Sequence, residues 1–544
     1  MKRLAFLLIG IALFPLFSHA GGIVTNTNQS AAWVRMFARD ASTGIDAVYF
    51  NPAGLAKLEN GLYVSLNEQM VIQNRYISSD YPYLNESDYE GSVFAPIFPG
   101  IYLAYKYGKF AFSVGINPIG GGGSAVFENS LPIFEMGVSD LVPGLTARGL
   151  PTTEYSMNAN LDGSSVYWGY QAGITYSIND MISIYAGARY VSAKNTYQGS
   201  LTDVMINTAH PTYNPTLEMI SAPEFFANLS ADATTAATSL QSISDASYGS
   251  LTLDQAHTFA IINDAQYASL AAGYNSLGLN PAVNTIDEGI APFTASSQES
   301  AVRAMLLADQ ENVDIEQTGS GIAPIVGVNL SFEKLNIGMK YEFRTKIELE
   351  NNTKKDFIVG YDAATGTPVG MFPDGEKVRS DMPAMFSIGA DYKLTEKFSV
   401  ATGFHYYFDK GANYGKQING EYVDNDMVIN KGLWEFSLGL QYNITEKLLV
   451  SCGYLHTQIG VKEVYQSNLS YTNSSNSVGL GGAYKVTPGI ELNLGIGYTT
   501  YETFEKNFEH DLGGTGTMIP VVESYDKDNL FIALGLDFKL FGKK

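Results

Sequence analysis

Three cationic residues, Arg189, Lys340 and Arg344, lie in segments whose apolar and polar residues alternate one by one, each on the polar side. Facing into a barrel lumen, such a cation can pair with a ligand carboxylate through a charge-assisted hydrogen bond. Fixed dipoles lining a polar lumen are the plainer use of the same groups. Tyr63, Tyr167, Tyr185, Tyr407 and Phe531 share the inward phase and could line an apolar ligand site.

A broken strand is the second chemical feature. Phe110, Phe112, Val114 and Ile116 alternate normally until Asn117-Pro118-Ile119, after which Gly120, Gly121, Gly122 and Gly123 follow. Proline removes a ladder donor, and glycine permits a kink or the close approach of a ligand. Two readings stand: a strand end running into a loop, or a side opening through which an apolar molecule passes into lipid. The glycines lack the Lys and Ser/Thr of a phosphate loop, so nucleotide binding is not supported.

Catalytic chemistry is not written in the chain. His19, His210, His257, His405, His456 and His510 are scattered without metal-ligand spacing. No nucleophile elbow accompanies His405, which reads as an isolated lumen or girdle residue. Cys452 is the only cysteine, which excludes an intramolecular disulfide and a thiolate cluster. The formal net charge of -22 leaves no concentrated basic surface for nucleic acid. The expectation is a protein that is not an enzyme, with no catalytic residue, no cofactor and no metal.

The elements that must position these residues are strands. Ile490, Leu492, Leu494, Ile496 and Tyr498 oppose Glu491, Asn493, Gly495, Gly497 and Thr499, and comparable alternation recurs from Gly61 onward. Centres fall near residues 66, 101, 113, 171, 187, 328, 341, 388, 403, 438, 453, 481, 496 and 535, which makes fourteen. Tight turns at Gly108-Lys109, Asn179-Asp180, Glu333-Lys334, Thr395-Glu396, Thr445-Glu446 and Thr487-Pro488 alternate with long loops, the layout of an outer-membrane barrel. Gly389 before Tyr392, Gly439 before Tyr442 and Gly481 before Tyr484 suggest a lower aromatic girdle. The predicted fold class is therefore all-β, a transmembrane antiparallel barrel spanning residues 61–541. Its largest interruption runs from Leu201 to Gln317, where Ser296-Ser297-Gln298-Glu299 reads as a capping box before Ala301 to Ala308, with weaker helices over Pro223 to Leu240 and Asp254 to Leu270.

Lys2 and Arg3 precede an apolar stretch from Leu4 to Phe17, and Ser18-His19-Ala20 predicts cleavage before Gly21. The mature chain then opens with a short segment, residues 21–60, placed to plug a lumen. Ser30 can cap a helix carrying Trp33, Val34 and Phe37. Pro52 pushes Asn51 out of the helical region, and Gly54 would allow a reversal.

Preceded by Asp46-Ala47-Val48-Tyr49-Phe50 and followed by fourteen candidate strands, Asn51-Pro52-Ala53-Gly54 resembles the hatch of the FadL-type long-chain fatty-acid transporter family of Gram-negative outer membranes. The resemblance implies a monomeric barrel inserted by the barrel-assembly machinery and surrounded by outer-membrane lipid. It also implies a hydrophobic small-molecule ligand such as a fatty acid, and lateral diffusion through a kinked third strand. Asp46, Tyr49, Phe50, Asn51, Pro52, Ala53 and Gly54 would form the hatch, and Asn117 to Gly123 the side exit. Bulky Trp33, Met36 and Phe37 depart from the family's smaller hatch residues, and the long insertion is unusual. The expected function is passive, hatch-gated uptake of hydrophobic molecules; the alternative is a surface adhesin or structural barrel acting through its extracellular loops.

Overall fold

Period-two alternation becomes fourteen long antiparallel strands in the computed structural model, which describes residues 30–127, 130–362, 366–418 and 420–541. The expected export signal and its cleavage site lie outside the described residues. In order the strands are Gly61–Ser79, Asp88–Tyr107, Phe110–Phe127, Tyr155–Ser177, Ile182–Ile206, Gln310–Ser331, Leu335–Glu342, Met385–Lys393, Phe398–Tyr407, Trp434–Asn443, Leu448–Gln458, Ser475–Thr487, Ile490–Tyr501 and Met518–Phe541. All fourteen predicted centres fall within them. The first strand pairs with both the second and the last, so the sheet closes on itself.

The polarity of the two faces follows the alternation. Leu494, Ile496 and Tyr498 are exposed on the outside, whereas Asn493, Gly495, Gly497 and Thr499 are buried inside. An outward apolar belt on a closed barrel suits a lipid bilayer, whose hydrocarbon has no partner for polar groups. Tyr392, Tyr442 and Tyr484 are exposed near the short-turn rim. Several strands exceed what a bilayer needs: the fifth has 25 residues, and about ten suffice to cross an apolar band. Their surplus forms a wall above the membrane, extended by short strands such as Glu348–Lys355 and Phe504–Asp511.

That extension narrows the long insertion. The fifth strand runs on to Ile206 and the sixth already begins at Gln310, so only residues 207–309 leave the wall. They fold into helices Ala222–Ile243, Leu253–Thr258, Asp264–Ser276 and Ile286–Leu306, which bury Leu240, Leu253, Ala256, Tyr274 and Ile286 against one another. Ser296 caps nothing. The last helix starts ten residues earlier, where Thr285 and Glu288 form a complete capping box, and Ser296-Ser297-Gln298-Glu299 lies in its interior. A Ser-x-x-Glu pattern caps only where the backbone before it is non-helical, which the pattern alone does not specify.

Candidate functional site

Residues 30–58 lie inside the lumen. Ser30 caps the helix Ala31–Arg35 by accepting from the Trp33 N–H, and Arg39 and Asp46 then close a turn through paired bonds of 2.6 and 2.9 Å. Ala47–Phe50 is a single helical turn that stops at Asn51, held at φ −139° ahead of Pro52, which opens the 3₁₀ helix Pro52–Lys57. The sequence logic at Asn51-Pro52 is thus realised. Gly54 has another role: it sits within the 3₁₀ helix, where a Cβ would stand 2.5 Å from both Ser42 O and Asn51 Nδ2. It permits a close packing of the plug on itself rather than a reversal.

The wall grips this plug around the barrel. Asn67 accepts from Ala31 N; Arg35 donates to Asn493, Gln441 and Ser451; Asn336 donates to Ala41 O, Gln171 to Val48 O, Thr175 to Pro52 O and Ser183 to Ala53 O. Asn51 Nδ2 donates to Ser42 O at 3.0 Å and to Asn329 Oδ1 at 2.7 Å. Inward glycines let the two backbones approach: a Cβ on Gly389 would meet Asp40 Cβ at 2.6 Å, and one on Gly453 would meet Phe37 N at 2.6 Å. His405 faces the lumen but is not isolated. Its ring bridges Asp40 of the plug (2.7 Å) and Glu435 of the wall (2.8 Å).

Arg189 and Lys340 do come together, on Glu342. Arg189 reaches both carboxylate oxygens (2.5 and 3.1 Å), Lys340 reaches Oε1 (2.6 Å), and all three residues are buried. Lys340 also donates to Tyr49 O at 2.8 Å, and both cations lie about one ring-width from the Tyr49 face, at 4.9 and 5.1 Å from its centroid. The expected ligand cations are therefore a clamp on the plug, satisfied by an internal carboxylate. Glu342 was legible: it stands two residues after Lys340, hence on the same face.

Arg344 does not face the lumen. The seventh strand ends at Glu342, and beyond it Thr345, Ile347 and Leu349 take the buried side. Arg344 instead donates to Gly411 O and lines an open polar recess with Lys346, Arg379, Lys410 and Asp424. The tyrosines are spread along the barrel axis. Tyr63 bonds Glu59 O at the short-turn rim, Tyr185 packs under Ala53, and Tyr407 donates to Glu435 near the outer end of the ninth strand. They do not line one site.

Beside the plug the wall is interrupted. The second and third strands pair from Tyr107↔Phe110 up to Ile101↔Ile116, and again at Ser92↔Val126 and Gly91↔Phe127; among the described residues, the intervening stretch shows no pairing between them. On the other side of the third strand, pairing with the fourth shifts register at Pro118, Gly120 and Gly123. Gly121 takes φ +98°, a conformation only glycine adopts without strain. The second strand contributes Pro96 and Pro99 to the same interruption, two ladder breakers whose spacing was readable in the sequence and whose partner strand was not. Phe94 and Ile97 stand 62% and 72% exposed there, while Ile119 is fully buried inward against the cluster of Val48, Tyr49, Phe50 and Tyr102. A gap in hydrogen bonding thus lies next to the apolar flank of the plug.

Above the plug, the extended wall strands and the loops line a small apolar recess with Phe134, Leu161, Tyr197, Val313, Ile315 and Phe372, among others. Tyr197 and Phe372 stack at 4.8 Å.

No protein-family model matches the sequence, and no curated protein does. Solved structures do. The chain superposes on the crystal structure of a Pseudomonas aeruginosa FadL homologue with a TM-score of 0.58, covering 96% of this chain and 100% of that one at 12% identity. The fold is the FadL-type barrel. The P. putida toluene transporter TodX aligns over 92% of this chain and 95% of its own at 12% identity, with a TM-score of 0.46. Within this barrel, the clamp and the wall interruption both meet the plug at Val48, Tyr49 and Phe50.

Proposed function

We propose that the protein is an outer-membrane channel for passive uptake of hydrophobic molecules, with residues 30–58 acting as the hatch and the interruption between the second and third strands as the exit. The observation that carries this reading is the unpaired stretch of wall facing Val48 and Phe50. An apolar solute leaving there enters hydrocarbon directly and avoids the cost of crossing water, about 25 cal/mol per Å² of apolar surface. The apolar recess among the loops would collect the ligand, and the lumen would receive it once the hatch shifts. Nothing in this sequence of steps requires a catalytic group, a cofactor or an energy source. A fatty acid is the expected ligand, and a neutral aromatic hydrocarbon, as in the name of TodX, is the competing one.

Restoring the ladder tests the exit. Pro118→Val combined with Gly120→Val and Gly123→Val leaves Gly121 in its left-handed conformation while favouring strand pairing. Uptake of a labelled fatty acid should fall to background while the extracted protein still binds it. Undiminished uptake would overturn the lateral route. The helical insertion, which has a core of its own, favours a second reading as an adhesin; loss of adhesion with intact uptake on its deletion would assign the two roles to separate parts.

A further inference from the structure

A carboxyl group stands in the apolar belt. On the first strand Leu62, Val64, Leu66 and Glu68 share the outward phase, while Ser65, Asn67 and Gln69 are buried inside. Glu68 pairs with Leu534 of the last strand, and Leu534 pairs with Leu494, the middle residue of the outward run from Ile490 to Tyr498. Leu534 and Leu494 are both exposed on the outer surface. Leu66 precedes Glu68 on the same face and Met70 follows it. The ladder therefore sets Glu68 inside the band that faces hydrocarbon, where an ionisable side chain is costly and rare.

Its partner lies in the wall interruption. Glu68 Oε1 accepts from the Phe98 N–H at 2.6 Å. Phe98 belongs to residues 93–100 of the second strand, which show no pairing with the third among the described residues. Against the first strand the register steps from Gln69↔Phe98 to Val71↔Ala95, past Pro96 and Ile97. Pro96 and Pro99 have no N–H to offer. Across the interruption Pro118 also lacks a donor, and its carbonyl accepts from the Asn117 side chain at 3.0 Å. A backbone donor without an acceptor is too costly to keep in hydrocarbon. Prolines delete two donors of this segment, and Glu68 accepts a third.

We propose that Glu68 is a positioning residue of the lateral exit: its carboxyl group takes the place of a strand partner for Phe98 and fixes the proline-bent segment 96–99 beside the opening. The role rests on the uptake reading above and assigns the exit a residue of the first strand, outside the break from Asn117 to Gly123. An unpaired strand edge ordinarily pairs with a neighbour. An acceptor supplied by a side chain holds this edge in one geometry without closing it. Phe94 and Ile97, the exposed apolar residues of the outer lip, are carried by the segment that Glu68 holds.

The test compares Glu68→Gln, which keeps an acceptor, with Glu68→Leu, which suits the apolar belt but accepts nothing. Uptake of radiolabelled laurate by cells carrying the full-length protein should fall severalfold in Glu68→Leu and return close to the native rate in Glu68→Gln. The segment is followed separately, by spin labels on Ile97→Cys and Ile322→Cys in a Cys452→Ser background. Both labelled positions are exposed on the outer surface and lie four strands apart, about 19 Å along the wall at ~4.8 Å per strand. In the detergent-extracted barrel the distance distribution should be narrow with Glu68 or Gln and broad or displaced with Leu. An unchanged distribution in Glu68→Leu, or a changed one with native uptake, overturns the proposal and leaves the lateral route standing. Failure of the native barrel to take up laurate overturns the uptake reading and the exit role with it; a distribution that still broadens in Glu68→Leu would then show a bond with a purely structural purpose.

Discussion

Burial of charge sets the behaviour of single residues. Glu342 stands between two buried cations, and removing its charge leaves both uncompensated, which for buried pairs costs about 3 kcal/mol or more. Glu342→Gln should therefore loosen the grip on Tyr49. Planar-bilayer recordings should register frequent openings where the native barrel is quiet, and a closed, quiet variant would count against the clamp. Lys416, in the loop after the ninth strand, offers a pH test. It is buried against Ser470 (3.1 Å) and the Tyr465 ring (4.1 Å), and burial, reinforced by Lys506, lowers its pKa to about 7 from an ordinary 10.5. Between those values the unfolded chain binds the extra proton, so stability rises with pH across that window; below about 7 the penalty is present in full. Lys416→Met should raise the thermal midpoint of the extracted protein at pH 6 and lose that advantage as pH approaches 10. An equal gain at both ends would assign the effect to packing alone.

Elements differ in how much of them the chain announces. Strand phase was legible because lipid and lumen select opposite polarities at alternate residues, and all six tight turns stand where the pattern breaks. The plug helix at Ser30 and the Asn51-Pro52 break were legible for local reasons, a cap and a proline. The helical insertion was legible in existence but not in its bounds, since residues 202–206 are held as strand by the fourth strand and residues 310–317 by the fifth, the latter across more than a hundred residues of intervening chain. Its separate core predicts independence: excising residues 207–309 and joining the fifth and sixth strands by a short turn should leave a barrel that still migrates as a folded, heat-modifiable species. Collapse to the unfolded position would show that the insertion braces the wall. The phase shift after Phe343 was beyond local reading, because the seventh strand ends by losing its neighbours and not through any residue that forbids strand.

For the molecule as a whole, alternation, turn spacing and the Asn-Pro-Ala-Gly context determined a closed barrel with a segment to block it. These are nearest-neighbour properties, and a chain carries them in one dimension. The tertiary structure alone decided which charges meet. Arg189, Lys340 and Glu342 join two strands to the plug, His405 ties Asp40 to Glu435, and Arg75 faces Lys527 across the seam where the last strand closes on the first. Charge pairing in a lumen depends on register and height between strands hundreds of residues apart, so one sequence read along its length names the candidate cations but cannot say which of them are already neutralised. In the same way, Pro118 reads as a local break, and only its alignment with Pro96 and Pro99 of the neighbouring strand makes a single interruption in the wall.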